Sequence, residues 1–211
     1  PCFIFIREGR TAPLGVSWRT ITSSLSQIRL SISRTRKFPG LSRFLIGRVF
    51  YADAVNTLMI FTGIYVTTEL GFTDQEAQMV LLVAITSSIF GAICWDYVVD
   101  RIGPAKSLTI VLKLWMITIG GVSAVAIFSL PEDLFWVMAC MAGVALAGTW
   151  CSDRPLLLRL VPGENVGEFF GLYNMVGRFA SILGPLMWVL VADKLELGRP
   201  AAVLSLLLLI I

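Results

Sequence analysis

The sequence has no histidine, and charged residues fill only 15% of its 211 positions. A soluble domain carries about 25% charged residues and needs a polar exterior around its core. With 56% hydrophobic residues and a mean hydropathy of +0.82, this chain lacks the material for one. The missing histidine removes the Ser–His–acid constellation. The four cysteines, Cys2, Cys94, Cys140 and Cys151, have neither metal-ligand nor redox spacing. Three of them lie in or at the ends of apolar runs, where cysteine serves as a small apolar filler. No glycine loop of the phosphate-cradling kind occurs. No cofactor, no metal and no enzymatic activity is therefore expected. The net charge of +3 does not point to nucleic acid, because the basic residues are not interleaved with exposed aromatics in a soluble domain.

Long apolar runs dominate instead. A transmembrane helix needs about 20 mostly apolar residues, and five stretches qualify: Phe44–Thr67, Ala77–Trp95, Leu108–Leu130, Leu134–Ser152 and Gly167–Val191. The last eleven residues, Ala201–Ile211, are apolar but too short to cross. "PCFIFI" at 1–6 reads as the tail of an earlier span, so the sequence is expected to be a piece cut at both ends. "GGVSA" in the third span and "AGVALAG" in the fourth are small-residue faces suited to close helix packing.

Basic residues sort by loop. Residues 1–43 hold Arg7, Arg10, Arg19, Arg29, Arg34, Arg36, Lys37 and Arg43. The second and fourth connections add Arg101 with Lys106, and Arg154 with Arg159. The intervening connections carry only Lys194 and Arg199, both in the last, so the basic set of loops is assigned to the cytoplasm. Residues 7–43, 96–107 and 153–166 are expected there, and 68–76, 131–133 and 192–199 on the opposite side. Within 17–37, Trp18, Ile21, Leu25, Ile28 and Ile32 recur at helical spacing. Two readings stay open: a helix lying on the bilayer surface, or a linker helix packed on neighbouring protein.

Charge inside the spans is the remaining signal. Arg178 lies near the middle of the fifth span, where insertion of an arginine costs about 2.5–3.5 kcal/mol. Asp53 lies about 14 Å into the first span and Arg178 about 16 Å into the fifth, counted from the same side at 1.5 Å per residue. Asn56 and Thr57 share a helical face with Asp53, and Asn174, Gly177 and Ser181 share one with Arg178. Polar faces at that depth fit a water-accessible cavity between helices, with Asp53 and Arg178 paired across it. A charge pair that only holds the bundle together is the structural alternative.

The connection "DYVVDRIGPAKS" resembles a loop signature of the major facilitator superfamily, through Asp100, Arg101, Gly103 and nearby Lys106, although Asp96 stands where that signature has glycine. The stretch "SDRPLLLRLVPGENVGEFFGLYNMVGRFASILGP", 152–185, resembles the vacuole effluxer-like branch of that superfamily, as does "YADAVNT" at 51–57 with Ala54 replacing a glycine. The resemblance implies an all-α membrane protein, the C-terminal six-helix half of a twelve-helix fold. Residues 1–6 would end helix six, 7–43 would form the basic loop between halves, and 44–211 would be helices seven to twelve, the last incomplete.

It further implies a secondary transporter that moves a small solute by alternating access, with an amino acid or related metabolite as first candidate and an ion or proton as coupling partner. Asp53, Asn56, Thr57, Asn174, Arg178 and Ser181 would line the substrate or ion path. Asp100, Arg101, Gly103, Arg154, Arg159 and Glu168 would serve gating at the cytoplasmic mouth. The expected partners are the solute, the bilayer and the N-terminal half of the same chain. The bacterial inner membrane is the first expected location and the vacuolar membrane the alternative. A solute sensor of the same fold is the rival reading. An intramembrane enzyme is opposed by the missing histidine and by the lack of paired carboxylates within a span.

Overall fold

The computed structural model describes residues 31–35 and 38–211, and among these every regular element is helical. The expected helix-six tail at 1–6 and most of the expected amphipathic helix lie outside the described residues. Among the described residues, five helices or helix pairs are long and apolar enough to cross a membrane. They are α1 (Pro39–Glu69), α2 (Asp74–Ile102), α3 (Pro104–Ile127), α4 (Glu132–Leu160) and a broken fifth span made of α5 (Val166–Phe179) and α6 (Leu183–Val189). A short α7 (Arg199–Ser205) follows and continues as a tight turn over Leu206–Leu209.

The helices outrun the apolar stretches that announce them. At 1.5 Å per residue, the 29 residues of α2 and of α4 span about 44 Å, against a hydrocarbon core of about 30 Å. Most of 96–107, expected as a loop, is thus the last turns of α2 and the first of α3. These are separated by Gly103 alone, whose φ of 85° turns the chain. The start of 153–166 is likewise the end of α4, which runs on through Pro155. Helical hydrogen bonding carries across the membrane boundary because charged side chains beyond it can reach water.

Local chemistry fixes the ends. Thr73 and Glu76 form a reciprocal capping box at the start of α2: Thr73 N–H donates to Glu76 Oε2 at 2.8 Å, and Glu76 N–H to Thr73 Oγ1 at 3.3 Å. Proline opens α3 in its first turn, where a missing N–H costs nothing.

The α2–α4 contact is the most extensive in the bundle. It depends on Gly143, where an added Cβ would lie 2.0 Å from the Ala84 carbonyl oxygen. Backbone approach at small residues is how helices pack when lipid removes the hydrophobic drive. The outer face of α2 presents Ile85, Ile89, Phe90 and Ile93, all more than half exposed, as a helix facing lipid does. The apolar end of the chain is not loose: Ala202, Val203 and Leu206 are fully buried, with α7 packed on α3.

Contacts sort the connections onto two ends. Arg199 donates to Glu69 at 3.2 Å, and the Phe72 ring meets Phe135 edge-on at 5.8 Å. At the other end Arg34 pairs with Glu168 at 3.1 Å, and Arg159 lies against Gly103. The second end is the one that gathers the basic connections.

Candidate functional site

A cavity of about 700 Å³ opens between α1, α4 and α5, lined by Arg48, Asn56, Thr149, Asp153, Asn174 and Arg178 among others. In a bundle this apolar, a concave surface with convergent polar groups is the default binding-site hypothesis.

The strongest polar cluster is at the cavity's wall. Arg48 of α1 forms an ion pair with Asp153 of α4; Asp153 is fully buried and Arg48 keeps only 13% of its side-chain surface. The Tyr51 hydroxyl donates to Asp153 Oδ1, and Tyr173 of α5 lies 3.5 Å from Oδ2. The Arg48 guanidinium also stacks 3.6 Å above the Tyr173 ring, a cation–π contact. Three helices are thereby tied by one carboxylate. The Arg48 Nε is buried without a hydrogen-bond partner, so the guanidinium has unused donor capacity.

Asp53 and Arg178, expected to pair, do not. Asp53 is fully buried and accepts the Gly184 backbone N–H at 2.7 Å, whereas Arg178 is exposed on the cavity surface. The reason is the interruption of the fifth span. Helix α5 stops at Phe179 and α6 starts at Leu183, with Pro185 in the first turn of α6, where its missing N–H costs nothing. The break frees backbone N–H groups, and the Asp53 carboxylate sits against those of Ile182, Leu183 and Gly184. Equal depth along straight helices does not survive that bend.

The other expected path residues separate accordingly. Asn56, Asn174 and Arg178 line the cavity, and Asn56 also donates to the Ala180 carbonyl at the break at 2.8 Å. Thr57 is buried beside Asp53, against Gly184, where an added Cβ would meet its hydroxyl at 2.0 Å. Ser181 lies exposed in the break and is not among the cavity-lining residues. The six residues are thus three on the cavity wall, a buried pair against Gly184 and one outlier.

Of the expected gating residues, Asp100, Arg101, Arg154 and Arg159 are exposed. Arg101 lies 4.4 Å over the Tyr97 ring. Glu168 accepts from Ser31 and Arg34, which fastens 31–35 to the start of α5.

Arg48, Tyr51, Asp153 and Tyr173 escape the sequence reading. Arg48 is near the start of the first span and Asp153 just past the end of the fourth. The depth comparison applied to Asp53 and Arg178 would have matched these two on the same side. In sequence alone the charge of Asp153 looks like the polar end of the fourth span. Among the described residues no group of three or more acidic, cysteine or histidine side chains could hold a metal.

The family model described as "Vacuole effluxer Atg22 like" matches residues 1–211. The chain is 28% identical over 191 residues to the uncharacterized MFS-type transporter YxiO of Bacillus subtilis, covering 90% of this chain and 43% of that protein. It is 26% identical to autophagy-related protein 22 of Yarrowia lipolytica, covering 92% of this chain and 34% of that one. For the same-named protein of Kluyveromyces lactis the figures are 24%, 92% and 39%. The chain thus spans less than half the length of these relatives. No solved structure matches it. Five apolar spans and a family match over the full chain make this a multi-pass, all-α membrane protein, and it belongs to the vacuole effluxer Atg22-like family.

Proposed function

We propose that these residues are the C-terminal six-helix half of a secondary transporter, which moves a small solute through the cavity between α1, α4 and α5. One observation carries the reading: the polar cavity, with its buried Arg48–Asp153 pair and the free-standing Arg178, sits in a bundle that is otherwise apolar. Ionisable groups at membrane depth face pathways or each other, and here both arrangements occur on one wall. The broken fifth span supports the same reading, since discontinuous helices border the midplane sites of transporters.

On this reading the N-terminal half covers the open side of the cavity, and the two halves rock about it. Arg178 and Asn174 meet the solute, while Arg48 and Asp153 hold α1, α4 and α5 in register. An amino acid or related metabolite is the first candidate solute, and Asp53 is the candidate for ion or proton coupling. Asp100, Arg101, Gly103, Arg154, Arg159 and Glu168 act at the cytoplasmic mouth, where the Gly103–Arg159 contact and the Glu168–Arg34 pair join the ends of four helices. A bacterial inner membrane is the first proposed location and a vacuolar membrane the second; similarity to a Bacillus subtilis protein supports the one and similarity to fungal autophagy-related proteins the other.

The test is counterflow in proteoliposomes containing the full-length protein, with a panel of radiolabelled amino acids. Transport predicts accumulation of label driven by unlabelled solute inside. Binding without accumulation is the result expected of a sensor and would overturn the proposal.

A further inference from the structure

One charge within the spans belongs neither to the cavity nor to a connection. Lys113 lies inside α3 and is exposed. The opposite face of α3 is the packed one: Val111 and Trp115 are fully buried, and both stand about 160° around the helix from Lys113. The Trp115 indole N–H donates to Thr149 of α4 at 3.0 Å, and Thr149 lines the cavity. Lys113 is thus on the side of α3 turned away from the cavity. Its stripe is a lipid-facing one, with Ile110 and Ile117 46% and 59% exposed. Lys106, also exposed, lies one heptad earlier, within about 20° of Lys113 around the helix.

An ammonium in hydrocarbon is costly, and a lysine near a helix end escapes by reaching for the interface. The level of that interface is marked on α2. Tyr97 is exposed there, with the Arg101 guanidinium 4.4 Å over its ring, as aromatic side chains at the headgroup level are. Counted from the Gly103 turn at 1.5 Å per residue, Lys106 lies about 5 Å along, Tyr97 about 9 Å and Lys113 about 15 Å. A four-carbon stem lets each lysine bring its ammonium to the level of Tyr97, one from the aqueous side and one from the hydrocarbon side. Asp96 and Asp100 of α2 are exposed, yet among the described residues neither lysine forms an ion pair.

We propose that Lys106 and Lys113 form a binding site for the phosphate of an anionic phospholipid, on the outer face of α3 at the end that gathers the basic connections. A second copy of the chain is a poor occupant, because a two-fold contact would set the same cations against each other. A soluble phosphate would have to leave water for a stripe walled by Ile110 and Ile117. The inference goes beyond the transport reading and takes from it only that the N-terminal half covers the cavity and not this face.

The test uses full-length protein in nanodiscs of phosphatidylcholine, with a trace of spin-labelled phosphatidylglycerol or spin-labelled phosphatidylcholine. Electron paramagnetic resonance separates lipid held at the protein from free lipid. A larger held fraction of phosphatidylglycerol is expected, and added salt should reduce it. Lys113→Leu keeps a side chain suited to lipid and should cut the preference severalfold. Lys113→Arg should retain it, and Lys106→Gln combined with Lys113→Leu should remove it. Lys194→Gln changes the net charge equally at an exposed position beyond α6 and should leave the preference intact. A spin label at Lys113→Cys, in otherwise cysteine-free protein, should be relaxed by oxygen dissolved in the lipid. An unchanged preference in Lys113→Leu, an equal loss in Lys194→Gln, or a label at 113 shielded by protein would each overturn the site. So would displacement of the held lipid by soluble glycerol phosphate. A preference that persists in a protein failing counterflow would sink the transport reading and leave this one standing.

Discussion

Removing either partner of the Arg48–Asp153 pair should destabilise the protein by about 3–5 kcal/mol, because the survivor remains buried and uncompensated. The structure sets where in that range each change falls. Asp153 is fully buried and also accepts from Tyr51. Arg48→Met therefore strands a carboxylate in the interior and belongs at the upper end. Asp153→Leu strands a guanidinium that keeps some exposure and a place over the Tyr173 ring beside the cavity, so about 3 kcal/mol is expected. The double change removes both charges and leaves the Tyr51 hydroxyl, and the more weakly bonded Tyr173 hydroxyl, without their acceptor, a loss of about 1–3 kcal/mol. It should be more stable than either single variant. The assay is reversible unfolding of the full-length protein in mild detergent, arranged as a double-mutant cycle. A coupling energy above about 1.5 kcal/mol is expected. Independent, additive losses would show that the two side chains do not meet and would remove the wall from the site.

Gly184→Ala should fold poorly, since its new methyl meets the Thr57 hydroxyl at 2.0 Å and the Thr57 Cβ at 2.9 Å, and Thr57→Gly in the same protein should recover more expression, measured by size-exclusion profile, than Thr57→Ala. Gly143→Ala has no such rescue, because the obstruction is the Ala84 carbonyl; it should lower the thermal midpoint by more than any single surface change. Single cysteines at 74 and 164, on a cysteine-free background, should be labelled from opposite sides of the membrane, with 164 on the cytoplasmic face; the reverse pattern would invert the orientation. Glu168→Gln removes an exposed pair with Arg34 that solvent screening leaves with little effect on unfolding, so a large loss of counterflow with normal stability would mark a gating role.

How far the residues alone disclose this molecule depends on which physical signal each feature emits. Five spans were visible because burial in lipid demands about 20 apolar residues in a row. Their ends were not, because helices such as α2 and α4 continue into water, where composition no longer constrains them. The break in the fifth span was foreshadowed by Gly184-Pro185, but the chain leaves the helix at 180–182, ahead of the proline. Asn56, Asn174 and Arg178 line one cavity, since polar side chains at membrane depth have few places to go. The Asp53–Arg178 pair was misread because depth along a helix says nothing about rotation or bending. Arg48 and Asp153 were missed for the opposite reason: charges near apparent span ends look solvated, and only the three-dimensional packing of Tyr51 and Tyr173 reveals that these are enclosed.

The central claim is that solute passes through the cavity between α1, α4 and α5, and Asn174 is an exposed marker on its wall. The decisive measurement places Asn174→Cys in cysteine-free, full-length protein reconstituted in liposomes and treats it with a bulky, water-soluble thiol reagent before counterflow of a radiolabelled amino acid. Ile93→Cys, on the lipid-facing side of α2, is the control. The account predicts that modification at 174 abolishes counterflow, that saturating solute slows the modification, and that the control is unaffected. Full counterflow after complete modification at 174 would contradict it.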